Sequence, residues 1–312
     1  MRTLLADARR GHRGLYGLAV GMAGLAVVTA VLAVVDDRVL LGAPLWLKPL
    51  KFSISFVLYA GTLAWLLGQL RERALQRSGW VIVVASVIEM AVIVGQAARG
   101  VRSHYNDDTL ADNMLWNLMG ATIVVLWFAT LAVALRFLRE RVGGVDGADG
   151  ADGGRPLDLA VRLGLGIALL GMAEAFLMAI PRAHAVGVAD GGPGLPLLGW
   201  STTGGDLRIG HFVGMHALQL LPLLAAGLAV LSGRWRDRLD ETARTRIVGV
   251  VGTAYAAVVV LVTWQALRGQ PLIAPDVWTL GAAAAIGLGT AAGLAWALPQ
   301  GRIAVPAGRA GR

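Results

Sequence analysis

The sequence predicts an all-α fold: a polytopic bundle of eight transmembrane helices with both termini in the cytoplasm. Three observations carry this. Of 312 residues, 56% are hydrophobic and only 15% charged, against about 25% charged in an ordinary soluble domain. Apolar runs of about 20 residues, long enough at 1.5 Å per residue to cross roughly 30 Å of hydrocarbon, recur eight times. The 28 Lys and Arg residues divide 20 to 8 between alternate connections, the asymmetry expected when the basic side is cytoplasmic. The partner implied first is therefore the lipid bilayer, and the location a plasma (inner) membrane. A net charge of +8 and a pI near 10.9 follow from this topology and imply no nucleic-acid partner. With no Cys in the chain, disulfides, thiolate metal sites and Cys nucleophiles are excluded.

The first run, 15–35, follows Arg2, Arg9, Arg10 and Arg13 and exceeds the 7–15 residues of a cleaved signal core. It reads as a membrane span. Runs at 52–70, 80–98 and 114–138 complete an N-terminal half, 1–142. Residues 143–154, GGVDGADGADGG, have no means of burying surface and predict a flexible cytoplasmic linker, 143–156. Runs at 157–180, 209–231, 247–267 and 277–298 form the C-terminal half, followed by a tail, 299–312. Trp46, Trp116, Trp200, Trp264 and Trp278 fall near the outer ends and Trp80, Trp235 and Trp296 near the inner ends, as interfacial belts do. Trp65 and Trp127 fit neither belt and read as packing residues. QAARG at 96–100 and QALRG at 265–269 end the third run of each half, so any internal repeat would be parallel.

Polar residues within the spans concentrate in the outer half, above all in GDLRIGHFVGMHALQ at 205–219. Counted from the outer helix ends, His211 and Gln96 lie roughly 3 Å deep, His216 and Glu174 roughly 10 Å, and Glu89 and Gln219 roughly 14 Å. Matching depths suggest that Glu174 faces His216 and Glu89 faces Gln219. A carboxyl in hydrocarbon must carry its proton or sit beside a cation. His211 and His216 are about 140° apart around their helix, so they do not form a same-face metal pair. Pro222 removes a hydrogen bond to Leu218 and gives the helix a reason to bend there.

The chain has 26 Arg but only two Lys, Lys48 and Lys51, three residues apart on one helical face. This pattern points either to a required ammonium or to snorkelling toward headgroups. Arg99, Arg102, Arg182, Arg208 and Arg268 line the outer side, either to attract an anion or to pair with Asp107, Asp108, Asp112 and Asp206. His104 and His184 stand at the membrane edge, able to fold over the site. Phosphate-loop, HExxH and Gly-x-Ser-x-Gly patterns are missing.

Through GDLRIGHFVGMHALQLLP (205–222), LKPLKFS (47–53) and RGVRSHYN (99–106), the chain resembles a group of uncharacterised bacterial multi-pass membrane proteins. The resemblance implies the helical fold and brings no activity. Four functions remain open. The first is a small-molecule or ion site in a transporter, sensor or accessory protein, built from His216, His211, Gln219, Glu174, Glu89, Lys51, Gln96 and Arg208. The second is a metal-dependent enzyme using His104, His211 and His216 for a divalent metal. The third is a haem or quinone redox protein, with His104 and His216 as the haem's axial pair. The fourth is a ligand-free scaffold in which these groups are hydrogen-bond glue.

Overall fold

The computed structural model describes residues 2–70, 72–140, 154–235 and 238–298. Eight of its helices are long and apolar enough to cross a membrane: α2 (Arg13–Val35), α3 (Leu47–Leu70), α4 (Arg73–Ala98), α5 (Leu110–Arg139), α6 (Gly154–Ala179), α7 (Arg208–Ser232), α8 (Glu241–Leu267) and α9 (Val277–Ala297). A shorter helix, α1 (Arg2–Gly11), precedes them where the sequence suggested only a basic arm. Most of the predicted linker and all of the tail lie outside the described residues. The last three linker residues, 154–156, belong to α6, and Arg155 donates its amide to Glu241 at 3.1 Å.

Several helices begin before their apolar windows because polar caps add a turn at the interface. Thr109 accepts from the amide of Asp112, and Asp240 from that of Ala243. His12 does the same for α2, accepting from Leu15 and packing edge-on against Trp80. These contacts satisfy amides that the first turn leaves open. The early start of α3 places Lys48 and Lys51 inside its first turns, and Pro49 is tolerated there because no intrahelical donor is needed. α7 continues as helix through Pro222. Within α7 the carbonyl of Val213 accepts from the Tyr255 hydroxyl of α8 at 2.6 Å.

Within each half, the first two spans make the most extensive contact, α2 with α3 and α6 with α7. The α6–α7 approach is close because Gly171 and Gly214 meet backbone to backbone, leaving no room for a Cβ. One apolar core joins α1–α5 to part of α6, and a second fills the space among α6–α9. The halves meet where α5 touches α6 and α3 touches α7. Trp127 helps close the first seam, donating its indole N–H to Leu169 at 3.1 Å, while Trp65 packs against the core. Both are packing residues, as their position outside the belts suggested.

The QAARG and QALRG stretches fold alike. Gln96 reaches the carbonyl of Arg102 and Gln265 that of Pro271, each six residues on. Gly100 and Gly269 adopt φ of 75° and 72°, which glycine accepts without strain. Arg99 pairs with Asp112 and Arg268 with Asp276, at or beside the start of the following helix. In each half a two-stranded ladder precedes the second span. β1 (Val39–Leu40) pairs with β2 (Ala43–Pro44), and β3 (Ala185–Val186) with β4 (Gly205–Asp206). Each is accompanied by an Asp-x-Arg clamp. Asp36 accepts three bonds from the Arg38 guanidinium, and Asp206 two from that of Arg208.

Candidate functional site

A cavity of about 1670 Å³ lies between the halves, at the end of the bundle where α4 and α6 finish and α3 and α7 begin. Its roof is the long connection between α6 and α7, whose ladder strands bracket residues 187–204. Within it Gly194 bridges to Ser201, and the tip of the first hairpin, Leu41 and Gly42, lies against Gly191. Lys51 ties the roof to α3 by donating to the carbonyls of Leu198 and Leu197 at 3.2 and 3.4 Å. Arg208 fixes it from α7, donating to Gly199 as well as to the fully buried Asp206. Among the described residues four non-glycine positions have left-handed backbones: Leu41, Tyr105, Arg182 and Leu197, with φ between 51° and 64°. All four line this cavity. Such conformations persist only where surrounding structure over-determines them, typically at ligand clamps and switch regions.

The arginines at this end are internally neutralised. Arg38, Arg99, Arg102, Arg182, Arg208 and Arg268 each have an Asp within ion-pair distance. Of the two readings the sequence left open, Asp pairing therefore describes this set. Gln96 belongs to the same framework, bonding the carboxylate of Asp112 at 2.8 Å and the guanidinium of Arg99 at 2.5 Å.

The groups lining the interior are Lys48, Glu89, His104, His211 and His216. Lys48 extends over the ring of Phe52, its Nζ 5.9 Å from the centroid. His104 folds in from the loop after α4. Its Nδ1 lies 3.2 Å from the Ser103 hydroxyl and its Nε2 3.9 Å from Glu89. Phe52, Tyr105 and Trp116 surround the imidazole with ring centroids 5.6–6.0 Å away. Burial, reinforced by the charges of Lys48, His211 and His184, holds His104 well below the ordinary imidazole range. His211 Nδ1 is 2.7 Å from the carbonyl of Gly171. A carbonyl only accepts, so Nδ1 carries the proton and Nε2 of the neutral ring is an acceptor.

Other predicted members stand apart. Glu174 is buried among α6, α7 and α8 and does not line the cavity. Its Oε1 lies 2.6 Å from Thr263, and among the described residues its Oε2 has no hydrogen-bond partner. The expected pairing with His216 is replaced by this contact. His216 instead lies 3.4 Å from Gln219 on its own helix, and Glu89 faces Thr122 rather than Gln219, at 3.4 Å. Equal depth fixes height in the membrane but not direction around a helix. Among the described residues no three His, Asp or Glu side chains gather closely enough to hold a metal, so His104, His211 and His216 do not form the predicted ligand triad. His104 and His216, named as the haem's axial pair, both line the cavity.

His184, expected at the membrane edge and able to fold over the site, lines the cavity. It sits in the roof within 3.3 Å of Asp190, and burial, then the nearby Arg208, depress it to about 4. Its signal was its place beside a proline-glycine-rich connection, but nothing in the sequence fixed the turn that brings it inward. Tyr255 was missed because a single tyrosine in an apolar span carries no motif. Compared with protein families, curated proteins and solved structures, the chain matches none.

Proposed function

We propose that this is a plasma-membrane protein that binds a small molecule in the cleft between two parallel, related halves, as a transporter, sensor or accessory protein. In this reading both termini are cytoplasmic and the cleft faces the extracytoplasmic side. The observation that carries it is the cavity itself. Its volume of about 1670 Å³ exceeds the 300–1,000 Å³ typical of ligand pockets, and four of its polar groups, Lys48, Glu89, His104 and His211, come from three different helices and a loop. The matching turns and clamps support a relation between the halves, and the distribution of basic residues supports the orientation.

Orientation and access are tested together. Because the chain has no Cys, Ser55→Cys, on the cavity wall of α3, introduces a single reporter. A membrane-impermeant maleimide added to intact cells is expected to label it. Labelling only after permeabilisation would overturn the extracytoplasmic opening.

A further inference from the structure

Among the described residues, the arginines at this end have aspartate partners within ion-pair distance and the two lysines do not. Three of these arginines, Arg102, Arg182 and Arg208, line the cavity, paired with Asp108, Asp107 and Asp206. Of the two lysines, Lys51 is committed to the carbonyls of Leu197 and Leu198. Lys48 touches only the Phe52 ring at a distance, and among the described residues no carboxylate lies within 4.0 Å of it. Glu89, the acid whose charge it feels most, is placed against His104 and Thr122. An ammonium inside an apolar cavity without a counter-charge is expensive. A bound anion removes that cost.

Large apolar side chains on the cavity wall are also exposed. Ile54 on α3 and Leu220 on α7 line it and are 48% and 49% exposed; Phe176 on α6 also lines it and is 39% exposed. Ile54 and Leu220 belong to α3 and α7, and Phe176 to α6, helices that take part in the contacts between the halves. A free ion has no use for a wall of isoleucine, leucine and phenylalanine, whereas an acyl chain does.

We infer that the cavity takes an amphiphile with an oxyanion head, phosphate or carboxylate, paired to Lys48 and with its acyl tail leaving through a seam between the halves. This rests on the binding role proposed above and adds the ligand class. Tyr105, Trp116 and neutral His104 flank the head, offering polar edges without adding charge that would compete with Lys48.

Binding to the detergent-purified full chain tests it, with dioctanoyl phosphatidate, decanoate, dioctanoylglycerol and inorganic phosphate as probes. Phosphatidate and decanoate are expected to bind, at least tenfold more tightly than the tail-matched neutral dioctanoylglycerol. Inorganic phosphate alone is expected to bind weakly, which separates a lipid head from a free ion. Lys48→Met is expected to lose the tenfold preference and Lys48→Arg to keep it, with unchanged melting temperature confirming that both fold. Equal binding of phosphatidate and dioctanoylglycerol, or indifference to Lys48→Met in the folded variant, would overturn the inference while leaving the cavity reading intact. Inorganic phosphate binding as tightly as phosphatidate would overturn the lipid assignment. Failure of the Ser55→Cys labelling would instead remove the extracytoplasmic reading.

Discussion

Thr263 on α8 holds its hydroxyl 2.6 Å from one carboxyl oxygen of Glu174 on α6, and the same hydroxyl lies 2.8 Å from the carbonyl of Val259. A hydroxyl has one proton. If it goes to Val259, Glu174 must supply the proton of the other bond, so the neutral acid satisfies both contacts at once. Glu174→Gln, which still offers a donor, is expected to leave thermal stability nearly unchanged in detergent. Glu174→Ala is expected to cost about 1–3 kcal/mol, the range for a buried polar group deprived of its partner. Equal melting of the two variants would remove the bridging role.

The close contact of Gly171 with Gly214 makes a second prediction. Gly171→Leu forces α6 from α7 and is expected to destabilise the protein by about 1–3 kcal/mol, the usual range for overpacking. It also displaces the carbonyl that orients His211, so phosphatidate binding should weaken with it. Leucine at Gly166, where an added Cβ meets nothing within 4 Å, serves as the control and should melt like the parent.

The two Asp-x-Arg clamps differ in burial and so in consequence. Asp206 is fully buried and Arg208 23% exposed, whereas Arg38 is 50% exposed. Asp206→Asn should cost toward the low end of the roughly 3–5 kcal/mol for breaking a buried pair, since Arg208 keeps some contact with water. The expected sign is new protease cleavage within 187–204. Asp36→Asn weakens a half-exposed pair worth about 0–1 kcal/mol, and should leave that segment protected.

Acidification should loosen the roof. His184 titrates at about 4 in the folded chain, below its unfolded value of 6.5. Between these values the unfolded chain binds more protons, so stability is complete above about 6.5 and declines as pH falls toward 4. The groups acting on His184 are Arg208, Asp190, Asp206 and Lys48. Hydrogen exchange across 181–207, corrected for its intrinsic pH dependence, should be faster at pH 5 than at pH 7. His184→Gln should reduce the difference. His104 shifts in the same direction and accounts for what remains. Slower exchange at the lower pH would contradict this assignment.

The spans were legible because apolar length is a one-dimensional property. So was the role of Trp127, since an aromatic outside both belts has packing as its remaining use. Azimuth was not legible. Gln96 and Glu174 were correctly placed near one end of the bundle, yet each turns away from the cavity to serve a neighbouring helix. Lys51 and Arg208 also line the cavity, but the structure employs their charges in holding the roof. The reading missed that roof because it depends on backbone turns at residues such as Leu197 and Arg182, whose left-handed conformations no local sequence rule assigns to Leu or Arg.

The roof segment 187–204 also bears on how such a protein changes over generations. It is anchored at both ends by a ladder and a clamp, and it contributes no turn to any of the eight spans. Insertions and substitutions there alter the mouth of the cavity without disturbing helix packing. The shape of the cavity mouth and the stability of the bundle are therefore open to separate variation.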